Sequence, residues 1–249
     1  ARSALDMRRA HVAGGRPGFG LLCDSRLGRR ALYRAAEQGL WLGRPVEWPG
    51  SRPLMLEPEI GADFGGLGEW PLAHVVKVLA FCHPDDAPDL RDAQEETLLR
   101  LFASARRNRL EFLLEIIPSK VGPVGADTTA ALIRRFYQIG IYPDWWKLEP
   151  MRDEAAWAAT VKAITDNDPH SRGILVLGLG QTEAALADSF ALAARYPLVK
   201  GFAVGRTIFA KAAADWMTGL KSDAEVVEMM SNNFARLAAV WDHARGDAA

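Results

Sequence analysis

The sequence predicts an α/β fold of the TIM (β/α)8 barrel type with its first strand missing from this chain. Three observations lead there. Strand-like and helix-like segments alternate after residue 18. The strand-like runs are short and apolar on both faces, as expected for a parallel sheet covered by helices. Three of those runs, Val75-Val76-Lys77-Val78-Leu79, Leu113-Leu114-Glu115-Ile116-Ile117 and Trp145-Trp146-Lys147-Leu148-Glu149, hold a charged residue in the middle. A charge on a buried strand is costly unless something needs it there.

Taken in order, the segment Leu5 to Val12 reads as the tail of a helix, followed by a Gly-rich turn ending at Gly18. Phe19 to Cys23 is an apolar run that stops at Asp24, and a helical pattern with Leu32, Ala35 and Ala36 on one face follows. Leu54-Met55-Leu56-Glu57 is the next candidate strand, then Val75 to Phe81. Leu90, Ala93, Leu98, Leu99 and Phe102 recur near the helical period between Leu90 and Ala105. Phe112 to Ile117 is a strand stopped by Pro118, and Asp127 is placed to cap a helix that ends at Gly140. Trp145 to Leu148 is a strand, Ala155 to Ile164 a helix, Ile174 to Leu177 a strand and Glu183 to Arg195 a helix. Val199 to Val204 is the last strand, and Ser222 with Glu225 forms a capping-box start for a final helix. The seven candidate strands lie near residues 20, 55, 77, 114, 146, 175 and 202, one short of a complete barrel. Either the barrel is incomplete here or its first strand lies upstream in a longer protein.

The 249 residues show no internal repeat or low-complexity linker, so residues 1–249 are expected to form a single barrel domain. A hydrophobic content of 49% supports a substantial core. A net charge of -1 gives no sign of a nucleic-acid partner. No apolar run reaches membrane length, and the first residues lack a secretory apolar stretch. Cys23 and Cys82 both sit in strand-like runs and read as reduced thiols of a cytoplasmic protein. Symmetric assembly is common among soluble enzymes, so a homo-oligomer is the default expectation.

Strand side chains alternate between barrel lumen and helix layer, so Trp145, Lys147 and Glu149 share one direction. Lys77 and Glu115 are placed alike on their strands, and the lumen near the C-terminal mouth is where barrel enzymes carry their sites. Two lysines near one glutamate suit imine chemistry. A lysine amine attacks a carbonyl only after losing its proton, and both desolvation and a second ammonium lower its pKa. A nearby carboxylate then moves protons at the carbinolamine and the leaving alcohol. Taken alone, Lys77 with Glu115 could equally be a buried ion pair bracing the barrel.

Gly178-Leu179-Gly180 and Gly205-Arg206-Thr207 follow the last two strands, the place where barrels bind phosphate, with Arg206 as a charged donor. His83-Pro84-Asp85-Asp86 has metal-ligand residue types but no matching partner motif, and reads as a polar turn or a pocket wall. Asp24 and Glu57, at strand ends, are candidates to bind substrate hydroxyls; Asp24 could equally cap the following helix.

At these residues the chain resembles class I aldolases of the tagatose-1,6-bisphosphate aldolase type. The likeness lies in Phe19-Gly20-Leu21-Leu22-Cys23-Asp24, Val76-Lys77-Val78-Leu79, Phe112-Leu113-Leu114-Glu115-Ile116, Trp146-Lys147-Leu148-Glu149 and Gly205-Arg206-Thr207. Trp41-Leu42-Gly43-Arg44-Pro45-Val46-Glu47-Trp48-Pro49-Gly50-Ser51-Arg52-Pro53-Leu54, Tyr142 to Met151 and Gly201 to Phe209 look like the aldolase-like domain often fused behind a 5-dehydro-2-deoxygluconokinase in bacterial myo-inositol breakdown. The resemblance implies Lys147 as the Schiff-base lysine, Lys77 as the second lysine and Glu115 as the acid/base carboxylate. It also implies a phosphate-binding end at Arg206 and the Gly178–Gly180 turn. The implied reaction cleaves 2-deoxy-5-keto-gluconate 6-phosphate to dihydroxyacetone phosphate and malonate semialdehyde, with no metal or organic cofactor. Association with a sugar kinase domain, covalent or not, is implied as well.

One departure is visible. The family's first strand, of the type Phe-Asp-His-Arg, has no clear equivalent, and Ala4-Leu5-Asp6-Met7-Arg8 lies too close to Phe19 to leave room for a helix between. Two other readings are a non-catalytic sugar-phosphate-binding domain and a tagatose-bisphosphate-type aldolase. The second of these requires another basic site, for which Arg44 and Arg52 are candidates.

Overall fold

The computed structural model describes residues 18–151 and 153–246, so the expected helix from Leu5 to Val12 lies outside the described residues. Seven strands alternate with helices: β1 (Gly20–Leu22), α1 (Arg29–Glu37), β2 (Trp41–Pro45), β3 (His74–Ala80), α2 (Pro88–Arg107), β4 (Glu111–Ile116), α3 (Thr128–Gln138), β5 (Trp145–Leu148), α4 (Glu154–Asn167), β6 (Gly173–Leu177), α5 (Glu183–Ala193), β7 (Val199–Ala203), α6 (Arg206–Met217) and α7 (Asp223–Arg245). The strands follow one another through a single sheet in chain order, β1 to β7. The pairs β3–β4 and β4–β5 are parallel, with Lys77 opposite Leu113 and Glu115 opposite Lys147. Strand after strand in chain order, with a helix between, is the (β/α) barrel pattern.

The expected second strand at Leu54–Glu57 is replaced by β2 at Trp41–Pro45. Gly43 and Pro45 weaken the strand signal of that segment, because glycine has no side chain to pack and proline no N–H to donate. Leu56 instead makes an isolated antiparallel bridge to Glu47, returning across the turn that carries Pro49 and Pro53. Two smaller expectations also change. Ala36 is exposed while Leu32 and Ala35 are buried. Asp127 precedes α3 without a capping hydrogen bond, its carboxylate pairing instead with Arg134 at 2.6 Å. The capping box of Ser222 and Glu225 forms as expected.

The described residues fall into two compact units, residues 18–42 with 176–246, and residues 43–175. In the first unit, Phe190 stacks on Phe202 and Trp241 meets Phe190 edge-on, joining α5, β7 and α7. In the second, alternate strand residues face the helix layer. Phe112 meets Phe102 of α2, while Trp146 packs against Phe136 and Tyr137 of α3. The Trp146 indole N–H also donates to the Tyr137 hydroxyl at 3.0 Å. With the even-numbered residues of β4 and β5 held this way, the odd-numbered ones, Glu115 and Lys147, turn to the opposite face.

His74, at the start of β3, is buried with neither ring nitrogen hydrogen-bonded to a described residue. Burial, and then the charge of Arg44, push its pKa below the ordinary value. The fold therefore prefers neutral histidine, while the unfolded chain takes up a proton near pH 6.5. This contribution to stability is full above that pH and is lost as pH falls through it toward the lower folded value. Urea midpoints measured at pH 7.5 and pH 5.5 are expected to show the loss, and His74→Leu should flatten it. An unchanged slope in His74→Leu would assign the acid sensitivity elsewhere.

Candidate active site

Four charged side chains meet on the face of the 43–175 unit opposite its helices. Lys77, Glu115 and Lys147 come from β3, β4 and β5, and the fourth is Glu47, two residues past the end of β2. The Val46 N–H donates to the Lys77 carbonyl at 3.0 Å, setting Glu47 beside β3. The Lys77 ammonium bonds one oxygen of Glu47 and lies 2.7 Å from Glu115 Oε2. Glu115 Oε1 accepts from Lys147 Nζ at 2.9 Å. The four groups thus form a row of alternating sign, Glu47, Lys77, Glu115, Lys147. Lys77, Glu47 and Glu115 are at most 9% exposed, so their pairing is not screened as a surface pair would be.

The two lysines differ in charge state because they differ in neighbours. Burial alone would drive Lys77 toward neutrality, but the carboxylates of Glu47 and Glu115 overcome it and raise its pKa. Burial dominates at Lys147, which has one carboxylate neighbour in contact and a second ammonium close by, and its pKa is lowered. Glu115 would be raised by burial, yet the two ammonium groups hold it below its usual range. The arrangement therefore keeps Lys77 as a fixed cation and makes Lys147 the readier nucleophile.

Glu47 went unrecognised as a site residue because β2 did. The signal available for it was the one that marked the others, a charge flanked by apolar residues, here Val46 and Trp48.

The other expected residues have partners of their own. Glu149 is 5% exposed, and its carboxylate accepts from the Ser119 N–H at 3.0 Å and from the Ser119 hydroxyl, fastening the end of β5 to the turn after β4. Glu57 is half-buried, and its N–H donates to the Val46 carbonyl at 2.8 Å. Arg52 pairs with Asp86, and Arg44 lies 3.7 Å from the centre of the Trp70 ring, so both arginines are engaged. The His83-Pro84-Asp85-Asp86 segment is a polar turn, its His83 N–H donating to Asp86 Oδ2 at 3.0 Å. His83 Nε2 lies 2.9 Å from the Pro123 carbonyl, and the turn walls a cavity of about 150 Å³ with Gln94, Glu95, Arg91 and Arg135. No group of three or more His, Cys, Asp or Glu residues placed to hold a metal occurs among the described residues.

In the other unit, the Gly178–Gly180 turn and Arg206 come together. Gly180 has φ +73, and a side chain there would meet the Arg206 guanidinium. Gly178 has no room for a Cβ without pressing on Val204, and the Thr207 hydroxyl donates to the Gln181 carbonyl at 2.8 Å. Gly205 stands at the N-terminus of α6. Asp24 accepts from the Leu27 N–H at 2.6 Å, closing the turn before α1 without capping the helix itself. Cys23 and Cys82 are free thiols. Burial, with smaller effects from Asp86 and Glu95, pushes Cys82 up to about 12, which leaves it protonated and inert.

Strand order and helix layer define the class: a (β/α) barrel. The solved fructose-bisphosphate aldolase from Plasmodium falciparum, in a ternary complex with TRAP and a small molecule inhibitor, is similar with a TM-score of 0.63 at 14% sequence identity, over 92% of this chain and 78% of that one. Residues 3–245 match the family described as "Uncharacterized protein conserved in bacteria (DUF2090)", and the chain belongs to that family. No curated protein matches the chain. Among the described residues, no helix is long and apolar enough to cross a membrane.

Proposed function

We propose that this chain is a Schiff-base aldolase of a phosphorylated keto sugar acid. The substrate we assign is 2-deoxy-5-keto-gluconate 6-phosphate, cleaved to dihydroxyacetone phosphate and malonate semialdehyde in myo-inositol catabolism. The observation that carries the reading is the row itself, in which one buried carboxylate, Glu115, accepts from Lys147 at 2.9 Å and lies 2.7 Å from Lys77; the direction of the shift at Lys147, toward its free amine, agrees with it. A buried ion pair serving only stability needs one of each sign; a second lysine with lowered pKa is what carbonyl attack requires.

In this mechanism the Lys147 amine adds to the substrate ketone. Glu115, already hydrogen-bonded to Nζ, passes to the substrate oxygen, one after the other, the two protons that Nζ loses between ammonium and protonated imine, and that oxygen departs as water. The protonated imine then accepts the electrons of the breaking C–C bond. Lys77 keeps Glu115 ionised between turns of the cycle. We propose Arg206 with the Gly178–Gly180 turn and Gly205 as the group that receives the phosphate, through guanidinium and backbone donors. Asp24, Glu57 and Glu149 keep only a proposed role toward substrate hydroxyls. Their hydrogen bonds suit holding the fold at least as well.

The test is borohydride trapping in the presence of dihydroxyacetone phosphate, read by peptide mass spectrometry. A reduced adduct on the peptide carrying Lys147 is expected. A folded protein that binds the phosphate and yields no adduct would replace this reading with that of a sugar-phosphate-binding domain, attached to or associated with a sugar kinase.

A further inference from the structure

Glu115 has both carboxylate oxygens occupied, Oε2 by Lys77 and Oε1 by Lys147. A substrate proton arriving there would meet a carboxylate already facing two ammonium groups, which disfavour its protonation. Glu47 is placed differently. One oxygen is held by Lys77, while Oε2 is buried and has no hydrogen-bond partner among the described residues. A buried carboxylate oxygen without a donor costs free energy in the resting protein, and such exceptions call for a specific explanation. A donor brought by the substrate supplies one.

We propose that Glu47 is the base of the carbon–carbon cleavage step, its unpaired oxygen accepting the proton of the substrate hydroxyl adjacent to the bond that breaks. The inference rests on the aldolase reading and divides the labour between two carboxylates. Glu115 moves protons at nitrogen during imine formation and hydrolysis; Glu47 moves the proton at oxygen. In the step itself, Glu47 takes the hydroxyl proton, and the O–H electron pair becomes the second bond of the departing aldehyde. The C–C bond breaks, and its electrons neutralise the protonated imine on Lys147 to give the enamine. The proton on Glu47 then returns to the enamine carbon, and hydrolysis of the imine releases the ketone. Nothing is consumed beyond substrate and water. Lys77 holds the other Glu47 oxygen throughout and so aims the free one.

The experiment compares wild type, Glu47→Gln and Glu47→Asp in the full-length protein with two readouts. One is the borohydride-trapped adduct of dihydroxyacetone phosphate on Lys147; the other is the rate of its condensation with malonate semialdehyde. Glu47→Gln is expected still to form the adduct while condensation falls about 10²–10⁴-fold, the usual contribution of a general base. Glu47→Asp keeps the charge facing Lys77 and withdraws the carboxylate by one methylene, so it should also form the adduct, with a smaller loss of condensation. Trapping doubles as the test of folding. If Glu47→Gln does not fold, Glu47→Asp decides, and condensation at the wild-type rate overturns the assignment. Loss of adduct and product together in folded Glu47→Gln would make Glu47 a positioning residue for the lysines and overturn it too. A wild-type chain that gives no adduct, or an adduct but no condensation, would bring down the aldolase reading itself and this assignment with it.

Discussion

Replacing Lys147 by methionine is expected to abolish turnover and the borohydride-trapped adduct while leaving the fold intact. The fold should survive because methionine fills the same space and Glu115 keeps its second cation, Lys77, at 2.7 Å. The chemistry should not, because no other amine in the row can take over: Lys77 is held protonated between two carboxylates. Removal of a covalent nucleophile has cost other enzymes on the order of 10⁶ in rate, so the variant should fall below detection. Peptide mapping of the trapped protein and a steady-state assay, each beside a circular dichroism spectrum, check both halves. Residual activity of a few per cent would remove Lys147 from the mechanism.

Lys77→Met is expected to have the largest effect on stability, about 3–5 kcal/mol, the usual cost of stripping one partner from a buried pair. It leaves Glu47 and Glu115 buried close to one another with Lys147 as the only cation of the row. The loss should depend on pH in a characteristic way. In wild type, Glu115 has a lowered pKa, so its contribution is present above the unfolded carboxylate value near 4.3 and disappears as pH falls through the folded one. In the variant Glu115 has lost the ammonium that most opposed the effect of its burial, so the penalty is greatest at neutral pH and shrinks on acidification. Adding Glu47→Gln to Lys77→Met should recover part of the loss, since the two residues touch and their effects will not add. Denaturant midpoints across that range provide the check, and a Lys77→Met protein as stable as wild type at pH 7 would refute the buried-network account.

Most of the barrel was legible in the sequence because most of it obeys one rule. Runs such as Val75–Leu79 and Phe112–Ile117 are apolar on both faces, and a covered parallel strand is what such runs become. The same rule brought forward Lys77, Glu115 and Lys147, each of which breaks an otherwise unbroken apolar run, and these three side chains meet. It failed at β2, where Gly43, Arg44 and Pro45 dilute the pattern, and Leu54–Leu56 offered a better-looking decoy between two prolines. Glu47 was lost with that strand. Its role is set by a backbone bond from Val46 to Lys77, a relation between residues some thirty positions apart that periodicity does not encode. Asp127 was misread for a local reason: a capping residue type stood in the right place, but its carboxylate found Arg134 instead.

The alternating row also has an electrical consequence for the proposed reaction cycle. With both lysines protonated it sums to zero: two negative charges, two positive. When Lys147 gives up its proton in order to attack, the row carries two negative charges and one positive, a cationic vacancy sealed in a buried site. The protonated imine fills that vacancy. In the proposed cycle, the form that carries the substrate covalently is then the one in which the row is again neutral.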